Sequence, residues 1–400
     1  MFNLRWGPTK VKLTSSVLSN SPSLLSSNGV SSTKREPKPP LTDTSSADTH
    51  HVESQPPLAV NKATIISYLE NRKASFRSLL TAPLCSLDRL RQLSWSGVPI
   101  ELRCDVWPLL LGCSHLDSSK RHTTFTGKRR KYYASSLKHS LASQDPKTIH
   151  QIAVDLPRTA TDLQFIQHPR VYLMLSNILL LWAIRHPAAG YVQGMNDLVL
   201  PFLLTLLYPH QTSPESFPHY SVDNLSDDTL DNVEADLYSM FEKFMDKLQS
   251  CYIDGNREFQ FMVKCMDYIL KSNSTEIHAH FKAIGLDYQY FGFRWMSCLL
   301  FRELPYEFIL RLVDTYLSED NFLTFHICVC VAVIQHLKTD LLAMDFPTAI
   351  MYLQDLKSVS SHWPLTLFEE ILSQAFVIHC QYAGRLTHLK DKEERGLELD

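Results

Sequence analysis

Apolar residues recur at helical spacing through most of this 400-residue chain. The pattern begins around Asn61, after which large apolar side chains return every three to four positions among polar ones. They are Ile65, Ile66, Leu69, Phe76, Leu79 and Leu80. Similar patterns follow one another to about Leu389, with very few of the alternating runs typical of strands. We therefore predict an all-α fold whose first helix is amphipathic.

Two stretches are apolar enough to raise the question of a membrane span. Residues 171–184 are interrupted by Ser176 and Asn177, and residues 323–337 contain His326. A helix that crosses a bilayer needs about 20 largely apolar residues, which neither stretch supplies. We predict two buried helices and no transmembrane segment.

The composition divides the chain into four parts. Residues 1–60 are rich in Ser, Thr and Pro and cannot bury enough apolar surface to offset the entropy of ordering, so we expect a disordered arm. The polar, proline-containing stretch 209–228 interrupts the helices and predicts a loop. A boundary there gives helical subdomains at 61–215 and 216–389. A charged tail at 390–400 is expected to fray.

Charge and cysteine content narrow the class of protein. A net charge of -3 gives no general attraction to nucleic acid, so we expect no nucleic-acid partner. The nine cysteines include no CxxC pair, and the sequence opens without an apolar leader, which predicts reduced thiols in the cytosol. Cys328 with Cys330, and His278 with His280, lack the second pair that a tetrahedral zinc site needs, so we predict no metal site.

Familiar active-site motifs are missing from the sequence, which contains no GxSxG, GxxxxGK[ST], GxGxxG or HExxH pattern. Three other segments combine polar residues with glycine or proline. They are residues 97–99 with Arg103 and Trp107, residues 152–158, and residues 191–197.

Arg158 follows Pro157, and proline restricts the preceding Leu156 to extended conformations. Arg158 is therefore expected on a loop or a first helical turn. Asp155 is placed to pair with its guanidinium and fix its orientation. An ordinary surface ion pair stays open as the alternative.

Gln193 follows Pro187 and Gly190, which are expected to end the helix that starts near Val171. We predict that Gln193 lies on a tight connection between two apolar helices. A polar loop residue that caps the next helix stays open as the alternative. Elsewhere, Arg72 and Lys73 precede Ser75 in a pattern that kinases preferring basic substrates accept, which makes Ser75 a candidate phosphorylation site that could recruit a reader protein. An ordinary solvated helix face stays open as the alternative.

Two of these segments resemble the signature of the TBC domain, the GTPase-activating domain that acts on Rab GTPases. Its Ile-x-x-Asp-x-x-Arg motif and its Tyr-x-Gln-Gly motif are both filled, in order, and such a match by chance is remote. The matching residues are Ile152, Asp155 and Arg158, then Tyr191, Gln193 and Gly194. The resemblance extends over about 90–380.

The resemblance implies a two-subdomain helical fold and an activator that supplies catalytic residues to a GTP-loaded Rab. Arg158 would stabilise transition-state charge and Gln193 would align the attacking water. The partner would hold GTP and Mg²⁺, so no cofactor of the chain's own is implied, and enzymatic activity of its own stays open. The resemblance also implies a supporting role, in holding the two catalytic residues and the helix packing, for Arg103, Trp107, Asn196, Asp197 and Asp314. Direct contact with the GTPase and simple structural polarity both stay open for each of them.

Finer detail most resembles the member 22 subgroup, which is similar to a yeast Golgi activator, so cytoplasmic, Golgi-linked membrane traffic is implied. Two departures concern Val313, where the family usually has Trp, and residues 251–257. Both bear on local packing and Rab choice. A silent TBC scaffold and a helical adaptor recruited through the arm are the alternative functions.

Overall fold

The computed structural model describes residues 62–140, 145–213, 216–253 and 255–394. The predicted arm at 1–60 and the last residues of the tail lie outside these ranges. The described residues are helical and contain no strand, which confirms the all-α prediction. The α-helices are α1 Lys62–Thr81, α2 Leu87–Trp95, α3 Arg103–Leu110, α4 Arg121–Ser140, α5 Pro146–Asp155, α6 Pro169–Arg185, α7 Met195–Leu198, α8 Leu200–Leu207, α9 Asp227–Met245, α10 Arg257–Asn273, α11 Thr275–Ile284, α12 Gln289–Ser297, α13 Tyr306–Ser318, α14 Phe322–His336, α15 Lys338–Leu342, α16 Phe346–Gln354, α17 Leu356–Ser360 and α18 Leu365–Glu394.

Short polar side chains set where several helices begin. Ser86, Ser226 and Asp345 each accept a hydrogen bond from the backbone N–H three residues further on, at the starts of α2, α9 and α16. Asp145 caps α5 in the same manner, and Pro146 follows it at the first helical position. Such caps satisfy N–H groups that have no partner inside the helix, so these starts are encoded locally.

The two long apolar stretches form helices α6 and α14, as predicted. Helix α14 is buried along nearly its whole length and packs against α10, α13 and α18. Helix α6 buries Met174, Leu175 and Ile178 and packs against α5 and α9. Within the described ranges no helix is both long and apolar enough to cross a membrane.

The ends of the helical region differ from the expectation. In α1 only the second half packs, because Phe76 is buried whereas Ile66 and Leu69 are exposed. At the other end, α18 continues to Glu394 through half of the segment expected to fray. Lys390 pairs with Glu258 and Glu393 pairs with Lys264, so ion pairs to α10 hold this last turn.

The predicted loop lies between the end of α8 at Leu207 and the start of α9 at Asp227. Helices from both sides of this loop pack on each other, since α4, α6 and α8 contact α9 and α2 contacts α13. The division into two subdomains stays a prediction. What matters for the site is that α5, α6 and α7 bring the two motif segments together.

Candidate functional site

Arg158 closes the 3₁₀ turn Leu156–Arg158 that follows α5. Its side chain is exposed, and the structure records no hydrogen bond or ion pair between it and any described residue. Ile152, one turn before the end of α5, is buried and anchors this part of the helix in the core. The arginine is therefore presented from a short turn, as predicted.

Two local expectations about this segment are wrong. Leu156 is helical, with φ -58° and ψ -42°, because its N–H bonds to the Ile152 carbonyl and its side chain is buried. These contacts outweigh the extended preference that Pro157 imposes. Asp155 does not pair with Arg158, because its carboxylate points into the protein. It accepts hydrogen bonds from Gln151 Nε2 at 3.1 Å and from the Tyr191 hydroxyl at 2.9 Å.

Gln193 lies on the connection between α6 and α7, as predicted. Helix α6 ends at Arg185, and the N–H groups of Ala189 and Gly190 close a turn on the His186 carbonyl. Gln193 is exposed, and its side chain forms no hydrogen bond within the described part of the chain. Gly194 is the N-cap residue of α7, and the described residues form no side-chain capping hydrogen bond there. The alternative that Gln193 caps this helix therefore has no support.

Gly194 is required at its position for two reasons. Its φ is +105°, a conformation that side chains with a Cβ rarely adopt. A Cβ there would also lie 2.9 Å from Cys298 Sγ, closer than real Cβ atoms approach. The glycine therefore lets the Gln193 loop lie against the buried turn after α12.

A closed set of buried hydrogen bonds joins the two loops beneath the exposed side chains. The Tyr191 hydroxyl bonds to Asp155, and Asn196 Oδ1 accepts the Gly194 N–H at 3.1 Å. Asn196 Nδ2 donates to Thr159 Oγ1 at 2.9 Å, and that hydroxyl donates to the Asp155 carbonyl. Burial and the charge of Asp155 raise the pKa of Tyr191, so it stays a donor. The two loops are thus fixed relative to each other.

Asp197 lies at the inner wall of this site. Its Oδ2 is 3.4 Å from Arg302 Nε but has no hydrogen bond among the described residues. Burial raises the pKa of Asp197 to about 6, and the nearby Arg302 opposes that rise only in part. A small cleft of about 170 Å³ opens beside Arg158 and is bordered by Asp162, Asp197, Arg302, Tyr306 and Lys357.

The remaining supporting residues form a separate cluster around Asp314 on α13. Asp314 accepts hydrogen bonds from Arg103 Nη2 at 2.8 Å, Trp107 Nε1 at 2.7 Å and the Val98 N–H at 2.9 Å. Asp314 is 0% exposed and Arg103 is 7% exposed. This cluster fastens 97–107 onto α13, and among the described contacts no hydrogen bond joins it to the Asp155 network.

The first departure, and the beginning of the second, are packed in the core. Val313 is fully buried on α13. Cys251 is buried, and the Tyr252 hydroxyl donates to the Ser297 carbonyl at 2.9 Å, which ties this segment to α12. Their effect on partner choice stays a prediction.

The other candidate chemistry lies away from this site. Ser75 is exposed on α1 and donates to the Asn71 carbonyl, while Arg72 donates to the Leu93 carbonyl at 2.6 Å. Ser75 as a phosphorylation site stays a prediction. All nine cysteines are free thiols. In the described ranges no cluster of three or more His, Cys, Asp or Glu is arranged to hold a metal ion.

Sequence reasoning missed three residues that contact the motif residues. Gln151 was detectable, because it lies one helical turn before Asp155. Thr159 directly follows Arg158 but carries no local signal of its bond to Asn196. Arg302 is 105 positions from Asp197 by residue number, so nothing in the local sequence joins them.

Comparison with known proteins gives a consistent result. The Rab-GTPase-TBC domain family matches residues 100–342. TBC1 domain family member 22B of Homo sapiens is 35% identical over 340 residues, covering 84% of this chain and 65% of that protein. GTPase-activating protein gyp1 of Schizosaccharomyces pombe is 34% identical over 329 residues, covering 80% of this chain and 63% of that protein.

A solved structure agrees with this similarity. The crystal structure of the Ypt/Rab-GAP domain of Gyp1p superposes with a TM-score of 0.74 at 34% identity. The match covers 78% of this chain and 99% of that one. The chain spans just under two thirds of the length of the full-length relatives.

Proposed function

The chain belongs to the Rab-GTPase-TBC domain family, and from this premise we propose that it accelerates GTP hydrolysis by a Rab-family GTPase. The observation that carries the proposal is the contrast inside the site. Arg158 and Gln193 are exposed and unbonded among the described residues, whereas Asp155, Tyr191, Asn196 and Thr159 beneath them are bonded to one another. The side chains of Arg158 and Gln193 are therefore free to contact a partner protein.

Arg158 is assigned to charge stabilisation. In phosphoryl transfer the transition state spreads negative charge over the transferring oxygens, and an arginine supplied in trans is worth about 10³ to 10⁵ in rate. The planar guanidinium is permanently charged and donates to two oxygens at once, which lysine does not reproduce. Its short 3₁₀ turn is fixed by the buried Asp155 and Thr159, which reduces the cost of orienting it.

Gln193 is assigned to the attacking water. A carboxamide both donates and accepts hydrogen bonds, so one side chain can orient a water molecule toward a phosphorus atom. The bonds that Tyr191 donates to Asp155 and Asn196 donates to Thr159 fix the loop that carries Gln193 relative to Arg158. In this proposal the GTPase holds GTP and Mg²⁺, and the chain needs no cofactor of its own.

The names of the relatives support this assignment. The yeast relative is called a GTPase-activating protein, and the similar solved domain is called a Ypt/Rab-GAP domain. We propose further that the chain works in the cytoplasm on Golgi-linked traffic and reaches membranes through partners, including an adaptor or reader protein bound by residues 1–60. The Golgi link rests on the resemblance to the member 22 subgroup, and the adaptor rests on the Ser/Pro-rich composition of residues 1–60.

The test is phosphate release from a panel of GTP-loaded Rabs under single-turnover conditions. We expect at least one Rab to be stimulated strongly by the wild-type chain. A scaffold would bind a Rab without accelerating it, and a helical adaptor would bind none of the panel. Either result would overturn the proposal.

A second experiment isolates Gln193. If Gln193 aligns the water, a cognate Rab whose own catalytic glutamine is changed to alanine should still be stimulated appreciably. Stimulation should vanish with Gln193→Ala and persist with Gln374→Ala, an exposed glutamine on α18. Complete loss with the Rab variant alone, despite retained binding, would remove Gln193 from this role.

A further inference from the structure

The turn after Arg158 has a backbone that needs external support. Ala160 has φ +42°, in the left-handed region that a non-glycine residue adopts only at a cost. Thr159 anchors the inner side of this turn to Asn196, as described above. The outer side carries Asp162, which is not part of either sequence motif.

Asp162 is held from two distant helices. The Tyr306 hydroxyl, at the start of α13, donates to Asp162 Oδ1 at 2.6 Å. Lys357 Nζ, on α17, donates to Asp162 Oδ2 at 2.9 Å and to the Tyr306 oxygen at 3.2 Å. The same ammonium lies 4.2 Å from the centre of the Tyr306 ring. Each of the three side chains contacts the other two.

The contacts among Asp162, Tyr306 and Lys357 fix the position of these side chains and contribute little to the stability of the fold. Asp162 and Lys357 are partly exposed, and an isolated pair of that kind contributes little to folding. Tyr306, however, is mostly buried, so its hydroxyl has a fixed position. Burial raises the pKa of Asp162, but the hydrogen bonds from Tyr306 and Lys357 outweigh this and lower it, which keeps the carboxylate charged.

We propose that Asp162, Tyr306 and Lys357 form a clamp that positions the Arg158 turn for entry into the partner's active site. The proposal rests on the proposed function for its kinetic consequence. The clamp borders the same cleft as Arg158 but acts through the backbone of residues 158–162. Its three members are positioning residues, and they control the rate of hydrolysis rather than the affinity for the GTPase.

The kinetic test uses Tyr306→Phe, which removes one hydroxyl and keeps the ring. The matched control is Tyr352→Phe, because Tyr352 makes a similar 2.9 Å bond to Asp340 elsewhere. We expect Tyr306→Phe to lower the stimulated kcat about tenfold with an unchanged KM, since small misplacements of a catalytic group are costly. The control should match wild type.

The decisive comparison repeats Tyr306→Phe in an Arg158→Ala background. A residue that acts through Arg158 should cause no further loss there. An equal loss in both backgrounds would overturn the clamp. Lys357→Met provides the second variant: a lowered kcat supports the clamp, whereas a raised KM with unchanged kcat would show that Lys357 contacts the GTPase instead.

A readout on the free protein separates the clamp from the proposed function. Amide hydrogen exchange over residues 158–163 should accelerate in Tyr306→Phe and stay at the wild-type rate in Tyr352→Phe. Unchanged exchange in Tyr306→Phe would overturn the clamp whether or not any Rab is stimulated. If exchange accelerates and no Rab responds to the wild-type chain, the proposed function fails and the clamp stands as a structural feature only.

Discussion

Arg103 and Arg158 show two opposite uses of the same side chain. Arg103 is buried, and its guanidinium bonds to Asp314 and lies 5.9 Å from the Trp107 ring centre. Arg158 is exposed at the end of a short turn, without a polar contact to the residues described. Both arginines belong to segments that the sequence singled out.

Structural and functional charges in this molecule differ in whether the chain itself supplies their hydrogen-bond partners. At Asp314 both oxygens of the carboxylate are saturated by donors of the chain itself. At the candidate site the saturation stops one layer below the surface, at Asp155 and Asn196. Replacements should therefore affect stability in the first region and turnover in the second.

The largest expected effect is on turnover. Arg158→Lys keeps the charge but loses the bidentate geometry, so we expect stimulated kcat to fall by about 10³ or more with little change in melting temperature. Arg185→Lys is the matched control, because Arg185 is also exposed but bonds to Glu242 and Tyr238 on α9, outside the Asp155 network. Single-turnover phosphate release and a thermal melt measure both effects. Near-normal turnover by Arg158→Lys would show that Arg158 has no catalytic role that distinguishes it from the structural Arg103.

The next effect is on stability. Asp314→Ala leaves the Arg103 charge buried without its partner, and breaking such a pair costs about 3–5 kcal/mol. Asp320→Ala is the control, because Asp320 pairs with Arg91 but is 88% exposed, so its loss should have little effect. Urea unfolding measures the difference. Equal stability of the two variants would show that the Asp314 cluster is not structural. If Asp314→Ala fails to fold, Trp107→Phe removes a single bond.

The smallest effect concerns Asp197, a buried carboxylate that lacks the saturation of Asp314. Its pKa of about 6 lies above the value of about 3.9 expected for an unfolded chain. The folded protein therefore binds this proton more tightly, and the charge costs stability above pH 6. The cost disappears as the pH falls toward 4.

Asp197→Asn should remove that pH dependence. Relative to wild type, the variant's free energy of unfolding should improve by on the order of 2 kcal/mol between pH 4.5 and 7.5. Asp162→Asn is the control of opposite sign, because the pKa of Asp162 is lowered, and it should gain nothing over this range. Urea unfolding at several pH values gives both curves. A difference between Asp197→Asn and wild type that does not change with pH would show that burial does not raise the pKa of Asp197.

Much of the fold followed from the sequence because its signals are local. Helices α6 and α14 were predicted from apolar stretches bounded by polar residues, and the structure confirms both as buried. The loop between α8 and α9 followed from its proline and polar content. The position of Gln193 on a short connection followed from Pro187 and Gly190, whereas Arg158 lies on a short turn although Pro157 does not hold Leu156 extended.

The hydrogen-bond partners of the supporting residues could not be predicted from the sequence. Asp155 was expected to hold Arg158, three positions away, yet it bonds to Tyr191, 36 positions away. Arg103 and Asp314 were both predicted to support the site, but their pairing across 211 positions was not. Asp162, Tyr306 and Lys357 were missed because each is unremarkable in its own segment.

By itself the sequence determined the helical class, the main connections and the identity of the two exposed residues, since periodicity, breakers and motif spacing act over a few positions. Only the tertiary structure decided which polar groups satisfy one another. A buried carboxylate takes its donors from whichever elements the packing of the core brings within about 3 Å, and those elements need not be neighbours in the chain. For that reason Asp314 became a structural anchor, Asp155 a brace between two loops, and Arg158 the charge left facing outward.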